Sequence, residues 1–201
     1  GAMQAQDYAN VRWALGLRLP ATTDEAISAA IDAGKIIRTH ILRPTWHLVA
    51  AEDIRWMLDL SGPRVSAQIQ GMHQRVCLPL DMFKQSHAVI EKALLKSQSL
   101  TRNELVSALE ASGIKADLMQ ATHLMMQAEL DGLICNGPMK GKQFTYALLD
   151  ERAPKARRLQ REEALATLLR RYLQSHGPAT LQDFTWWSGL TLTDAKAGLD
   201  A

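Results

Sequence analysis

SLTRNELVSALEASGI, residues 99–114, carries a full set of helix boundaries in one short stretch. Thr101 and Glu104 stand at capping-box spacing, Leu105 and Leu109 repeat at helical spacing, and Gly113 supplies a stop. The stretch therefore predicts a short helix. Upstream, MFKQSHAVIEKALLKSQ (82–98) is amphipathic through Phe83, Val89, Ile90, Ala93 and Leu94. Downstream, ADLMQATHLMMQAELDG (116–132) is periodic through Leu118, Ala121, Leu124 and Met125 and ends on Gly132. LICNGPMKGKQFTYALL (133–149) then gives two short β-rich runs around a Gly-Pro and Lys-Gly-Lys turn. Three helices followed by a hairpin is the order of a winged helix, whose third helix usually enters the major groove of DNA.

The same order occurs twice more, incompletely. DYANVRWALGLR (7–18) reads as a helix capped by Asp7. TTDEAISAAIDAG (22–34) reads as a second, capped by Thr23 and stopped at Gly34, and KIIRTHILRPTWHLV (35–49) as a hairpin turning near Arg43 and Pro44. In this register Asp7 corresponds to Thr101, and the first helix of the unit lies upstream of Gly1. A third copy begins at REEALATLLRRYLQSHG (161–177), continues through ATLQDFTWWSGL (179–190) capped by Thr180, and stops inside TDAKAGLDA before any wing. The expected fold is mainly α with short β-hairpins, a tandem array of winged-helix repeats with its first and third copies truncated. Residues 1–49 are the first winged helix and 81–150 the second, complete one; 151–201 start the third. Residues 50–80 form two connecting helices, AEDIRWMLDLSG and RVSAQIQGMHQRV, separated by Pro63, and DERAPKARR is a charged linker into the third copy. One helix-turn-helix unit is weak evidence; three in register are stronger.

Composition narrows the function less. The chain has 201 residues, 23 Lys and Arg against 21 Asp and Glu, and 47% hydrophobic content, enough to bury a core, and its net charge of +2 neither demands nor excludes a nucleic-acid partner. Cys77 and Cys135 lie far apart with no second Cys or His at ligand spacing, so neither a zinc site nor a disulfide framework is suggested, and no metal or cofactor is expected. A reduced, cytosolic compartment is the default. No apolar run approaches the roughly 20 residues of a membrane span, and no signal segment opens the chain. A monomer is expected. Gly1 to Met3 fit either a native segment or a cloning scar.

Cations gather on the proposed wings. Lys35, Arg38, His40 and Arg43 lie in the first hairpin, and Lys140, Lys142 and Gln143 in the second, where phosphate contact would be made by flexible cations beside a turn; a solvated loop is the alternative. On the third helix of the complete unit, Gln120, His123 and Gln127 fall on one face at spacings that would let them reach base edges or phosphates, or simply face solvent. Trp46 reads as core. His47 is either structural or a proton carrier that also sits at the DNA-facing hairpin. Trp186 and Trp187 are placed to bridge core and interface, and Glu52 with Asp53 to favour a helix dipole. No nucleophile motif or glycine-rich phosphate loop is present. From the residues alone, a module that binds double-stranded DNA is the best reading.

MQAQDYANVRWALGLR, IIRTHILRPTWHLVAAEDIRWMLDL and DFTWWSGLTLTDAKAGL together resemble the winged-helix DNA-binding proteins that include the AlkZ-like and YcaQ-like DNA glycosylases of bacteria. The resemblance spans the whole chain. It implies a C-shaped array of winged helices around a DNA-sized concavity, and a catalytic motif of glutamine, apolar residue, then glutamine or aspartate. Gln4-Ala5-Gln6 matches the form typical of the AlkZ-like branch, which implies hydrolysis of the bond between deoxyribose and an alkylated purine, crosslinks included. The motif is expected in a turn before the Asp7 helix, with both glutamines projecting the same way. The other readings are a non-catalytic winged-helix regulator and a protein-interaction scaffold.

Overall fold

The computed structural model describes residues 1–201. Helices start where the sequence offers a side-chain acceptor. Asp7 caps α1 (Tyr8–Gly16), Thr23 caps α2 (Asp24–Asp32), Thr101 caps α5 (Arg102–Ala111) and Asp117 caps α6 (Leu118–Leu130). Thr180 and Thr191 do the same for α9 (Leu181–Ser188) and α10 (Leu192–Asp200). The remaining helices are α3 (Ile54–Arg75), α4 (Leu80–Ser97), the single turn α7 (Leu149–Arg152) and α8 (Arg161–His176).

Two three-stranded antiparallel sheets interrupt the helices. The first contains β1 (Met3–Gln4), β2 (Ile36–Ile41) and β3 (Arg43–Ala50) in the order β1-β3-β2; the second contains β4 (Leu100–Thr101), β5 (Ile134–Asn136) and β6 (Thr145–Leu148) in the order β4-β6-β5. The two orders are the same, so in each sheet the hairpin carries a short extra strand on its last member. The sequence predicts only the hairpins, because a strand of two residues has no period to read. The first turn also falls one residue early, at Leu42, whose φ of 63° is tolerated while its N–H donates to Ser61 Oγ at 3.1 Å.

Residues 54–75 form one helix, not two. Pro63 lies inside α3 without ending it. Proline removes one helical hydrogen bond, and packing on both sides holds the helix together. Met57, Leu58 and Leu60 enter the main core, while Val65 and Ile69 meet Met126 and Leu130 of α6. The contact with α6 is close enough that a Cβ on Gly62 would stand 2.8 Å from the Leu130 carbonyl oxygen. Helix propensity favours Ala over Gly by about 1 kcal/mol, yet the clash with backbone costs about 1–3 kcal/mol. Gly62→Ala is therefore expected to lower the urea midpoint; a midpoint at or above that of the parent would show that the two helices have room to part.

The largest core cluster runs across the expected unit boundaries. Ile37, Ile41 and Val49 of the first sheet pack with Trp56 and Met57 of α3, Leu168 and Tyr172 of α8, and Phe184 of α9. The first and third sequence units thus share one core. A second cluster lies inside residues 78–148, and a small third one joins Ala5 to Val11, Ile27, Ile31 and Leu48. Asp53 stands at the start of α3, as expected of a carboxylate that favours a helix dipole, and is also buried, accepting from Trp56 Nε1 at 3.0 Å, from Arg157 of the linker and from Arg171 of α8. No helix is long and apolar enough to cross a membrane.

Candidate active site

Gln4 and Gln6 are held by strand pairing. Met3 faces Leu48 and Gln4 faces His47 across the β1–β3 pair, and Ala5 N–H donates to the Trp46 carbonyl at 2.6 Å. The motif therefore lies on a strand and its immediate exit, not in the turn that sequence reasoning assigned. Ala2 and Ala5 are buried and Gln4 and Gln6 are exposed, and over Gln4-Ala5-Gln6 this is the alternation of an extended chain. Both glutamines line one open cleft of about 660 Å³.

The two amides are not equivalent. Gln6 Oε1 accepts from Trp46 N–H at 3.2 Å. A backbone N–H can bond only to the oxygen of the amide, so the NH₂ of Gln6 is left to face the cleft as a donor. Gln4 has no such restraint, and its carbonyl is available as an acceptor. Opposite them, α8 and α9 supply Arg171, Tyr172, Ser175, His176 and Trp187. Tyr172 and His176 stack with ring centroids 4.6 Å apart, and Trp187 tilts against both, giving the cleft an aromatic wall. Sequence reasoning missed this wall because it comes from residues 171–187, brought over only by the shared core. Asp7 and Asn10 complete the near rim, and both Asp7 oxygens are spent on Asn10.

His47 is not at the surface of the hairpin. It is buried beside Gln4 in the sheet, with Nδ1 donating to the Thr45 carbonyl at 2.9 Å. Burial pushes its pKa down to about 4, outweighing that bond, which raises it; Arg43 and His40 lower it a little further. It is neutral at pH 7 and does not carry protons there. Between pH 6.5 and 4 the unfolded chain takes up a proton that the folded chain refuses, so the fold loses stability as pH falls through that window. The His47 ring signals in a ¹H–¹⁵N spectrum are accordingly expected to stay constant from pH 8 to pH 5, and a midpoint near 6.5 would contradict this environment.

Other expected contacts are also redirected. Arg38 is not a flexible wing cation but a buried one, its guanidinium 4.1 Å from the Trp46 ring centroid and 4.6 Å from that of Phe144. His40 is buried against Glu129 and Trp46. His123 is buried beside His73, because α6 lies on α3 and α4. Gln120 caps its own helix and donates from Nε2 to the Val76 carbonyl at 2.9 Å, and Gln127 Nε2 donates to Ser66 and Asp131. The face proposed to read bases is therefore occupied by protein. Lys35 is exposed, Lys140 pairs with Glu104 at 2.6 Å, and Lys142 is exposed in a depression with Arg38. Arg43 is separated from the glutamine cleft by α9: it donates to the carbonyls of Trp186 and Trp187 at 2.6 and 2.9 Å and lines a different hollow with Arg64 and Trp186. Trp187 packs on the core while Trp186 is 84% exposed. No group of three His, Cys, Asp or Glu side chains is gathered to hold a metal ion.

The chain is mostly helical with two small sheets, and a pair of neutral amides lines its aromatic-walled cleft. The chain belongs to the AlkZ-like DNA glycosylase family, whose profile matches residues 1–201. It is 24% identical over 204 residues to an interstrand DNA cross-link repair glycosylase of Streptomyces sahachiroi, covering 95% of this chain and 53% of that protein. The solved structure of the DNA glycosylase AlkZ of Streptomyces sahachiroi superposes with a TM-score of 0.80 at 20% identity, over 99% of this chain and 56% of that one. The chain thus spans about half the length of the relatives it matches.

Proposed function

We propose that this chain is the part of a DNA glycosylase that carries the glutamine motif, and that it hydrolyses the base–sugar bond of purines alkylated on a ring nitrogen, crosslinked ones included. The observation that carries this reading is the placement of Gln4 and Gln6 side by side, pinned to β3, at the mouth of one cleft. The repeated strand order of the two sheets, each with a helix pair before its hairpin, supports tandem winged helices as the architecture. Double-stranded DNA is the expected partner. The occupied face of α6 speaks against a regulator that reads sequence with that helix.

Glutamine cannot take a proton at neutral pH, so neither residue is a general base. None is required when the leaving group is already cationic. A ring-alkylated purine departs with its bonding electrons, which neutralise its positive charge, and leaves an oxocarbenium-like sugar. The Gln4 carbonyl accepts a hydrogen of the attacking water and lends its dipole to the cationic sugar; the Gln6 NH₂ donates to the same water oxygen and fixes its position, and once the C1′–O bond has formed the surplus proton passes to solvent. Catalysis then rests on positioning and electrostatic stabilisation. Unmodified purines, which leave as anions, are spared. The test is release of N7-methylguanine from methylated duplex DNA by the full-length protein. Release is expected; sequence-preferring binding to undamaged DNA with no release would favour the regulator instead.

A further inference from the structure

Arg38 is the one arginine of the first sheet that is buried, and only its Nε is bonded within the chain, donating to the Ala5 carbonyl at 3.1 Å. Neither terminal nitrogen meets an acceptor of the protein, although just 6% of the residue is exposed. The guanidinium is held between Trp46 of β3 and Phe144 of the β5–β6 hairpin. Phe144 is braced in turn by an edge contact with Tyr8, 4.9 Å between centroids. Two sequence units together therefore clamp one cation and aim it into a hollow of about 360 Å³.

The other walls of that hollow carry the same sign. Arg102 and Lys142 line it, and neither is in an ion pair; Lys140 by contrast is engaged by Glu104. Thr101, Arg102 and Asn103, the start of α5, form its floor. Glu104 N–H is taken up by Thr101 Oγ1, and the start of α5 places the positive end of its helix dipole at the hollow. The nearest carboxylates are already committed, Glu104 to Lys140 and Thr101, and Glu129 to His40. A site with three cations, the positive end of a helix dipole and no available carboxylate takes a tetrahedral oxyanion.

The geometry points to a subsite for one DNA backbone phosphate at Arg38, Arg102, Lys142 and the start of α5. It rests on the reading that this protein binds DNA. A backbone phosphate suits the hollow better than a free anion because the space, about 360 Å³, is several times a phosphate's volume and leaves room for the flanking sugars. Arg38 also ties the site to catalysis, since its Nε holds the carbonyl of the residue between Gln4 and Gln6.

Affinity for a fluorescent 20-base-pair duplex, measured against KCl, tests the subsite with the surface variant Arg102→Ala/Lys142→Ala, which leaves the Arg38 stack intact. Neutralising one phosphate contributes about 0.9 to the slope of log K against log salt. The double variant is expected to lose about that much slope and to bind roughly five- to tenfold more weakly at 0.1 M salt. Lys92→Ala/Lys96→Ala removes equal charge from α4 and is expected to change the slope less. An unchanged slope, or an equal loss in both double variants, overturns the subsite. Inorganic phosphate quenching Trp46 fluorescence at submillimolar concentration, with the DNA slope unaltered, would also overturn it in favour of a free-anion site. Base release is not read here, so a protein that binds with the expected slope but releases nothing would sink the glycosylase reading and leave the subsite standing.

Discussion

Gln4→Ala/Gln6→Ala is expected to slow single-turnover release of N7-methylguanine at least about 100-fold, the scale lost when one preorganised polar group is removed from a charged transition state. Affinity for the methylated duplex should stay within about threefold, because phosphate contacts dominate binding and neither glutamine is charged. The single changes should differ. Gln4→Ala removes an acceptor that makes no structural bond, so its effect should fall on the chemical step alone. Gln6→Ala also orphans the Trp46 N–H at the strand exit, so it should cost some thermal stability besides rate. Restoring the amide at one shorter reach, Gln4→Asn, should not recover the rate, since the water would be misplaced by about one methylene. Equal rates for the parent and the double variant would remove the glutamines from the mechanism.

Much of the fold is legible in the amino-acid sequence. Capping residues at Asp7, Thr23, Thr101 and Thr180 mark their helices because the cap bond is local, and a local bond leaves a local sequence mark. Gln4 and Gln6 were legible only through family resemblance and strand alternation. What could not be read was long-range. Pro63 looked like a boundary because propensity cannot see that α6 and the core grip α3 from both sides. Arg38, His40, His47 and His123 looked like surface groups because polarity is local, whereas their burial depends on Phe144, Glu129, β1 and α3, all distant in sequence. The aromatic wall of the cleft is distant in the same way: the fold carries Tyr172 and Trp187 to within reach of Gln4, and nothing in the spacing announces it.

Asp53→Ala should be the most destabilising single change outside the apolar core, because one carboxylate ties three separate segments. Trp56 Nε1 of α3, Arg157 of the linker and Arg171 of α8 all converge on it, and Arg157 N–H also donates to the neighbouring Glu52 carbonyl at 2.8 Å. Truncation orphans an indole N–H in a side chain only 1% exposed and leaves two guanidinium groups facing each other. Breaking a fully buried pair costs about 3–5 kcal/mol, but both arginines reach water here, so about 2–4 kcal/mol is the expected loss. At about 2–4 °C per kcal/mol for a chain of this size, Tm should fall by roughly 4–16 °C. Burial alone would raise the Asp53 pKa; the hydrogen bonds from Arg171, Trp56 and Arg157 outweigh it and hold the carboxyl below its ordinary range. Its contribution is therefore complete above about pH 4 and is lost as pH falls through the folded pKa. Asp53→Asn keeps the shape without the charge, so the gap in urea stability between parent and Asn variant should be constant from pH 7 to 5 and narrow below pH 4. A gap of the same size at pH 3 would mean that packing, not ionisation, is what Asp53 supplies. The consequence reaches the active site, because Arg171 also lines the cleft opposite Gln4 and Gln6. The carboxylate that fastens α8 to α3 thereby sets where the aromatic wall stands relative to the two amides, so Asp53→Ala should slow base release at temperatures where the chain is still folded, and Asp53→Asn should recover most of it.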